Sequence, residues 1–268
     1  SGIILIPIMV SCISDRNVVE NKCYPLAVSV EDDGFIQKNI TKDTRTINNR
    51  YTTTFAKGDK IGLYIVDGSG NIQTNNLCLT YDGTYWNYPP DTMAYYDNTS
   101  TTKYYAYYPY QSTITSSNVY PYGTDAVSFF CNLIPAWGLN LPIDQSTQAK
   151  YSAADLMVGD GSIGNLMMNA TQSLKINMYH QMGMVEINMP YYYLSTDANY
   201  KYIPGLTWTN MIPYSMSDST FHCIVSPMSS IRLTGQYISN LNSNSFKNIS
   251  EVLSSNTGQY QTINIDGG

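Results

Sequence analysis

The chain has 268 residues, room for one large domain or two of ordinary size, and its 43% apolar and 13% charged content suits a buried core and argues against disorder. A net charge of −6, a pI near 4.7 and arginine at only Arg16, Arg45, Arg50 and Arg232 leave no basic stripe to neutralise phosphates, so nucleic acid and anionic membrane surfaces are poor partners. Tyr (25) far outnumbers Phe (6), and Thr, Ser and Asn are abundant, the composition of half-buried strands joined by polar turns.

Residues 3–10, "IILIPIMV", form an apolar run followed by Ser11 and Cys12. The run is too short to cross a bilayer as a helix, which takes about 20 residues. It is either the end of an export signal or an ordinary apolar strand, with Ile4, Ile6 and Ile8 seated in a groove of this or a neighbouring molecule and Pro7 placing it at an edge. Pro25 to Val30 alternates strictly, Leu26, Val28 and Val30 on one face, and predicts a strand with one buried side. Residues 31–54 are polar, hold Arg45 and Arg50, and show no apolar period before Phe55; they read as an exposed connection, the kind of segment proteases cut.

Further on, Gly58-Asp59 supplies a turn and Ile61, Leu63 and Ile65 restart the period of two. "LCLTYDGTYW" (77–86) predicts a hairpin turning at Asp82-Gly83. "KYYAYYPY" (103–110) is a strand stopped by Pro109, and "AVSFFCNLI" (126–134) is short and apolar enough to be a strand buried on both faces. After the glycines of "GDGSIG" (159–164) the composition turns Met-rich, and the domain break is placed near residue 169. "LKINMYHQMGMVEINM" (174–189) alternates and then slips by one residue, which predicts a bulge beside Gly183. "FHCIVSP" (221–227) and "GQYQTINID" (258–266) are further strands. The single helix expected is "SFKNISEVLSS" (245–255), capped by Ser245 with Phe246, Ile249 and Leu253 on one face. Hairpins at a spacing of roughly ten residues point to β-sandwiches.

Catalytic signals are weak. His180 and His222 each lie in an apolar alternating strand with no carboxylate at metal or triad spacing, and both read as structural or as merely satisfied by a backbone partner. "GDGSIG" fits the dinucleotide-binding pattern by letter but lacks the strand-turn-helix setting that pattern requires, and reads as a turn. Cys12, Cys23, Cys78, Cys131 and Cys223 are far apart, without metal-ligand spacing; once Cys12 is set aside, the other four are either two disulfides or isolated thiols. No catalytic residue, metal ligand or cofactor is assigned. Trp86, Trp137 and Trp208, with the many tyrosines, are candidates for an aromatic face that holds a sugar or a protein.

"MVSC" (9–12) resembles the lipobox of a bacterial lipoprotein signal. Together with "TRTINNRYTTTFAKGDKIGLY" (44–64), "LTYDGTYW" (79–86), "YYAYYPY" (104–110), "SAADLMVG" (152–159) and "MYHQMGMVEI" (178–187), in that order over most of the chain, it resembles the fimbrillin family of Bacteroidales. The resemblance implies an all-β protein of two β-sandwich domains with transthyretin-like topology and at most one short helix. Residues 1–12 would be the end of a signal, 13–168 the N-terminal sandwich and 169–268 the C-terminal one. It further implies a non-enzymatic fimbrial subunit or adhesin at the outer membrane, attached only through a lipid on Cys12. An arginine-specific protease would cut after Arg45 or Arg50, releasing the first strand with Leu26, Val28 and Val30. Each of these is worth roughly 1.5–3 kcal/mol of burial, and a strand from another pilus subunit would replace them. The chain is short for a stalk subunit and ends at 263–268 with no apolar strand to donate, as expected of a tip or accessory subunit that meets a host or bacterial surface protein or glycan. The alternative is a surface carbohydrate-binding lipoprotein.

Overall fold

The computed structural model describes residues 24–37, 50–96, 101–167, 171–190, 192–194, 197–240, 244–266 and 268. In chain order, the first strands are β1 (Tyr24–Asp32), β2 (Phe35–Gln37), β3 (Arg50–Tyr51), β4 (Lys60–Val66), β5 (Ile72–Tyr81), β6 (Trp86–Asn87), β7 (Tyr95–Tyr96) and β8 (Lys103–Tyr108). Three short helices follow, α1 (Ala126–Phe129), α2 (Leu133–Leu139) and α3 (Gln148–Ala154). Then come β9 (Met157–Met167), β10 (Thr171–His180), β11 (Gly183–Asn188), β12 (Tyr192–Leu194), β13 (Asp197–Tyr202), β14 (Thr207–Trp208) and β15 (Tyr214–Ser215). The last four are β16 (Thr220–Val225), β17 (Ile231–Asn240), β18 (Ser245–Leu253) and β19 (Gln259–Asn264). The architecture is all-β with little helix.

The first sheet runs β6-β5-β4-β8-β9-β10-β1-β7 and curls so that its ends approach, the Tyr88 hydroxyl donating to the Leu26 carbonyl at 2.9 Å. Strand alternation assigns its two faces. Inside the curl pack Leu26, Ile61, Leu63, Tyr104, Ala106, Tyr108, Leu174 and Ile176. Outside it, Tyr64, Tyr105, Tyr107 and Val158 meet Phe129, Phe130 and Trp137 from the helices, together with Met184 and Ile224 of the next sheet. The outer face of a strand such as "KYYAYY" is therefore a second core, and its tyrosines are buried while their hydroxyls reach the rim: Tyr105 donates to Gly123 O and Tyr107 to Asn76 Oδ1.

The second sheet runs β15-β16-β11-β19-β2-β3 and faces the three-stranded sheet β14-β17-β18. Between them lie Val185, Ile187, Phe221, Cys223, Leu233, Tyr237, Ile249 and Leu253. The break expected at residue 169 falls between β9 and β10, which are hydrogen-bonded neighbours. The chain changes sheet instead at Gln181-Met182, so the slip read as a bulge is the crossover between the two units.

Several other expectations are corrected. Residues 126–134 form helices, because Asp125 accepts the Ser128 amide at 2.7 Å and Ser128 Oγ accepts the Asp125 amide at 3.1 Å, a capping box that starts α1. Residues 245–253 are strand: Ile249 and Leu253, four apart, satisfy a period of two as well as one of 3.6, and β17 pairs with them. "GDGSIG" lies within β9, where a Cβ on Gly159 would sit 2.4 Å from the Asn177 carbonyl oxygen, so its glycines serve strand packing. The stretch read as an exposed connection, 31–54, contains the buried Phe35 and the short strands β2 and β3. Cys78, Cys131 and Cys223 are free thiols; Cys12 and Cys23 lie outside the described residues.

Gly62 shows how tightly the outer face is packed, since a Cβ there would sit 2.2 Å from Tyr107 Cε1 and 2.6 Å from Asn76 Oδ1. Gly62→Ala must displace a buried ring from its hydrogen bond. It is expected to cost about 1–3 kcal/mol in urea unfolding, and the companion change Tyr107→Phe should not recover the loss.

Candidate functional site

β1 pairs in parallel with β10 from Leu26↔Gln172 to Asp32↔Met178. On its other edge it meets β7 only at Tyr24 and Pro25, with one more bond from the Leu26 amide to Ala94 O at 3.0 Å. Leu26 is 2% exposed, and Val28 and Val30 are half-buried against the inner core. Among the described residues, β1 is thus held along most of its length by a single ladder. Arg50 opens β3 and pairs with Ile36; Cys12, Arg45 and the run containing Ile4, Ile6 and Ile8 lie outside the described residues.

At the end of β1 the chain passes over His180, the last residue of β10. Both are buried, and the imidazole bridges two carboxylates, Nδ1–H donating to Asp155 at 2.9 Å and Nε2–H to Asp32 at 3.1 Å. Asp32 also accepts the amides of Thr53 at 2.6 Å and Gly34 at 2.9 Å. The Phe35 ring stacks on the imidazole at 3.7 Å. Gly34 is needed between them, because its φ of +71° belongs to the left-handed region and a Cβ would sit 2.9 Å from Tyr51 O. Burial drives the His180 pKa down, but the charges and hydrogen bonds of Asp155 and then Asp32 outweigh it and raise the pKa to about 9. For Asp32, burial pushes the carboxyl up; His180 and the two amides overcome it and hold the pKa below the usual range.

A second cluster pins the far side of the same region. Glu186 on β11 accepts from Thr262 Oγ1 on β19 at 3.2 Å and from His222 Nε2 on β16 at 3.3 Å, and the Tyr51 hydroxyl of β3 donates to it as well. The hydrogen bond from His222, followed by that of Tyr51, lowers the Glu186 pKa to about 2 against the effect of burial. Tyr51 rests edge-on against His222 and Tyr260. Between the two clusters opens a cleft of about 710 Å³, bounded by residues 52–54, α3, Tyr108 and His222.

The partners of both histidines are carboxylates distant in sequence and not the backbone. His180 has both nitrogens committed and no exposed side-chain surface. Among the described residues no group of three or more His, Cys, Asp or Glu is placed to hold a metal ion, and no helix is long and apolar enough to cross a membrane. Of the tryptophans named as candidates for an aromatic face, Trp86 and Trp137 are buried, Trp137 donating to Ala154 O, and Trp208 packs edge-on against Phe221. Asp32, Phe35, Asp155 and Glu186 were not legible as site residues; the one local signal is "DDGF", a turn ending in an aromatic residue.

The folded state holds the His180 proton more tightly than the unfolded chain, so its contribution to stability is complete below about pH 6.5 and lost as pH rises towards 9. The Asp32 contribution is present above its ordinary 3.8 and lost as pH falls below it. Stability should be greatest between those limits. Chemical denaturation at pH 6 and pH 9.5 is expected to differ by roughly 2 kcal/mol, and the difference should shrink markedly in His180→Gln.

Residues 44–218 match the fimbrillin-like family. A Bacteroides ovatus protein called "Putative fimbrium tip subunit Fim1C" is 32% identical over 207 residues, which are 75% of this chain and 35% of that protein. A Bacteroides uniformis protein called "Putative fimbrium subunit Fim1C" is 29% identical over 93 residues, 33% of this chain and 31% of its own length. A crystal structure of a fimbrial protein from Bacteroides ovatus shares the fold at a TM-score of 0.68 and 24% identity, covering 92% of this chain and 50% of that one. The chain thus spans about a third of the length of these two curated relatives and half of the solved structure. With the family match extending through β1's neighbours and into the second sandwich, this chain belongs to the fimbrillin-like family.

Proposed function

We propose that the chain is a non-enzymatic fimbrial subunit of the cell surface, in which β1 is a replaceable strand. The observation that carries this reading is the attachment of β1 among the described residues: one long parallel ladder to β10 and, on the other edge, pairing with β7 at Tyr24 and Pro25 alone. Removing such a strand leaves a row of unpaired backbone groups on β10 and an apolar trough beneath Leu26, Val28 and Val30, which a strand from another subunit can fill by β-augmentation. The relatives described as fimbrium subunits support the setting. Arg45 and Arg50 are the proposed cleavage positions, and Cys12 the proposed site of lipid attachment to the outer membrane. Adhesion through a surface protein or glycan goes with the tip-subunit reading.

Limited digestion of the native protein with an arginine-specific protease, followed by size-exclusion chromatography, tests this. Cleavage within 45–50 should be followed by loss of the N-terminal fragment and growth of higher-order species. The double variant Arg45→Ala, Arg50→Ala should stay monomeric under the same treatment. Quantitative cleavage at those arginines with a product that remains monomeric would sink the reading.

A further inference from the structure

Of the three connections between the first sheet and the second, two lie together, Asp33-Gly34 between β1 and β2 and Gln181-Met182 between β10 and β11; the third joins β3 to β4. The first two run side by side, the Asp33 amide donating to Met178 O at 3.2 Å. Where they cross, the first places two side chains on His180, the Asp32 carboxylate on Nε2 and the Phe35 ring on the imidazole face. A cut after Arg45 or Arg50 would therefore release more than a strand. Asp32 and Phe35 would leave with β1, while His180, Asp155 and the Thr53 amide stay behind. What stays is a socket: the Thr53 amide and His180 Nε2 face the vacated place of the carboxylate, next to the flat face of the imidazole.

A replacement strand with only the alternating apolar residues would bury those two donors without an acceptor. Burying an unsatisfied donor costs about 1–3 kcal/mol, and more when the group is charged. A carboxylate restores charge-assisted bonds to both, and an aromatic ring regains the attraction of a π face for the imidazolium. Resting on the strand-exchange reading above, we infer that the groove selects its partner: the incoming strand from another subunit carries apolar residues at alternate positions, then an acidic side chain at the place of Asp32, and an aromatic residue three positions further on. The socket and not the trough supplies the discrimination, since any β-prone strand can offer alternating apolar side chains.

The test uses the full chain nicked by the arginine-specific protease, with a fluorescein-labelled peptide of residues 24–37 followed by anisotropy. Unlabelled peptides of the same sequence, and of its Asp32→Asn and Phe35→Ala forms, compete. Each altered peptide is expected to compete at least tenfold more weakly, and in nicked His180→Gln protein the penalty for Asp32→Asn should vanish. Equal competition by all three peptides would overturn the inference and leave strand exchange standing. Failure of the labelled native peptide to enter at all would overturn strand exchange, and the inference with it. Should His180→Gln not fold, the peptide series on the native protein decides.

Discussion

A protonated imidazole enclosed between two carboxylates fixes the end of β1 against β10 and the entry to β9 within the first sheet. Asp32, Asp155 and His180 come from the end of β1, the entry to β9 and the end of β10, and the sequence separations are 148 and 25 residues. Such a cluster is weak evidence of net stability, because removing charges from water costs much of what their attraction returns. Its value is positional. An Asp32 shifted by one residue along β10 would leave His180 with a buried, unpaired donor, and a one-residue slip would also turn Leu26, Val28 and Val30 away from the core. The charge and the apolar alternation fix the same register independently.

The tyrosine-rich composition follows from a sheet with a core on each face. Positions 104, 106 and 108 fill the interior of the curl while 105 and 107 press against Phe129 and Phe130. A phenol can do both, since its ring packs and its hydroxyl reaches the polar rim. Helices α1 to α3 cover the outer face, and Ile224 and Met184 complete it from the second sheet. The second sheet thus shares the core on the outer face of the first, and the crossover at Gln181-Met182, not the glycine-rich 159–164, carries the chain from β10 to the second sheet.

How legible this was in the sequence depends on the range of the interaction concerned. β1, β4, β8, β16 and the turn at Asp82-Gly83, where Gly83 has a φ of +105°, follow from period-two alternation and turn chemistry, both local. The 126–134 run was misread because continuous apolarity does not distinguish a buried strand from a buried helix; the capping box at Asp125 and Ser128 decides, and it lies at the edge of the run. β18 was misread for the complementary reason, that two inward residues four apart fit either period. The partners of His180 and His222 were out of reach of any spacing rule, since only the tertiary fold brings Asp155, Asp32 and Glu186 to them.

The two histidine clusters also differ in what each would lose on cleavage. Arg50 is followed directly by Tyr51, whose hydroxyl is bound to Glu186 and whose ring rests on His222 and Tyr260. A cut on the N-terminal side of Tyr51 would therefore leave the Glu186 cluster whole, with β11, β16 and β19 still tied together and Thr53 two residues beyond the anchored Tyr51. The His180 cluster, by contrast, loses Asp32 and Phe35 together. In the proposed exchange, one cluster would keep the acceptor's framework rigid while the other is opened, and a rigid framework would allow the exposed donors to distinguish one incoming side chain from another, because a groove that could collapse would satisfy His180 from within and lose the demand for a partner.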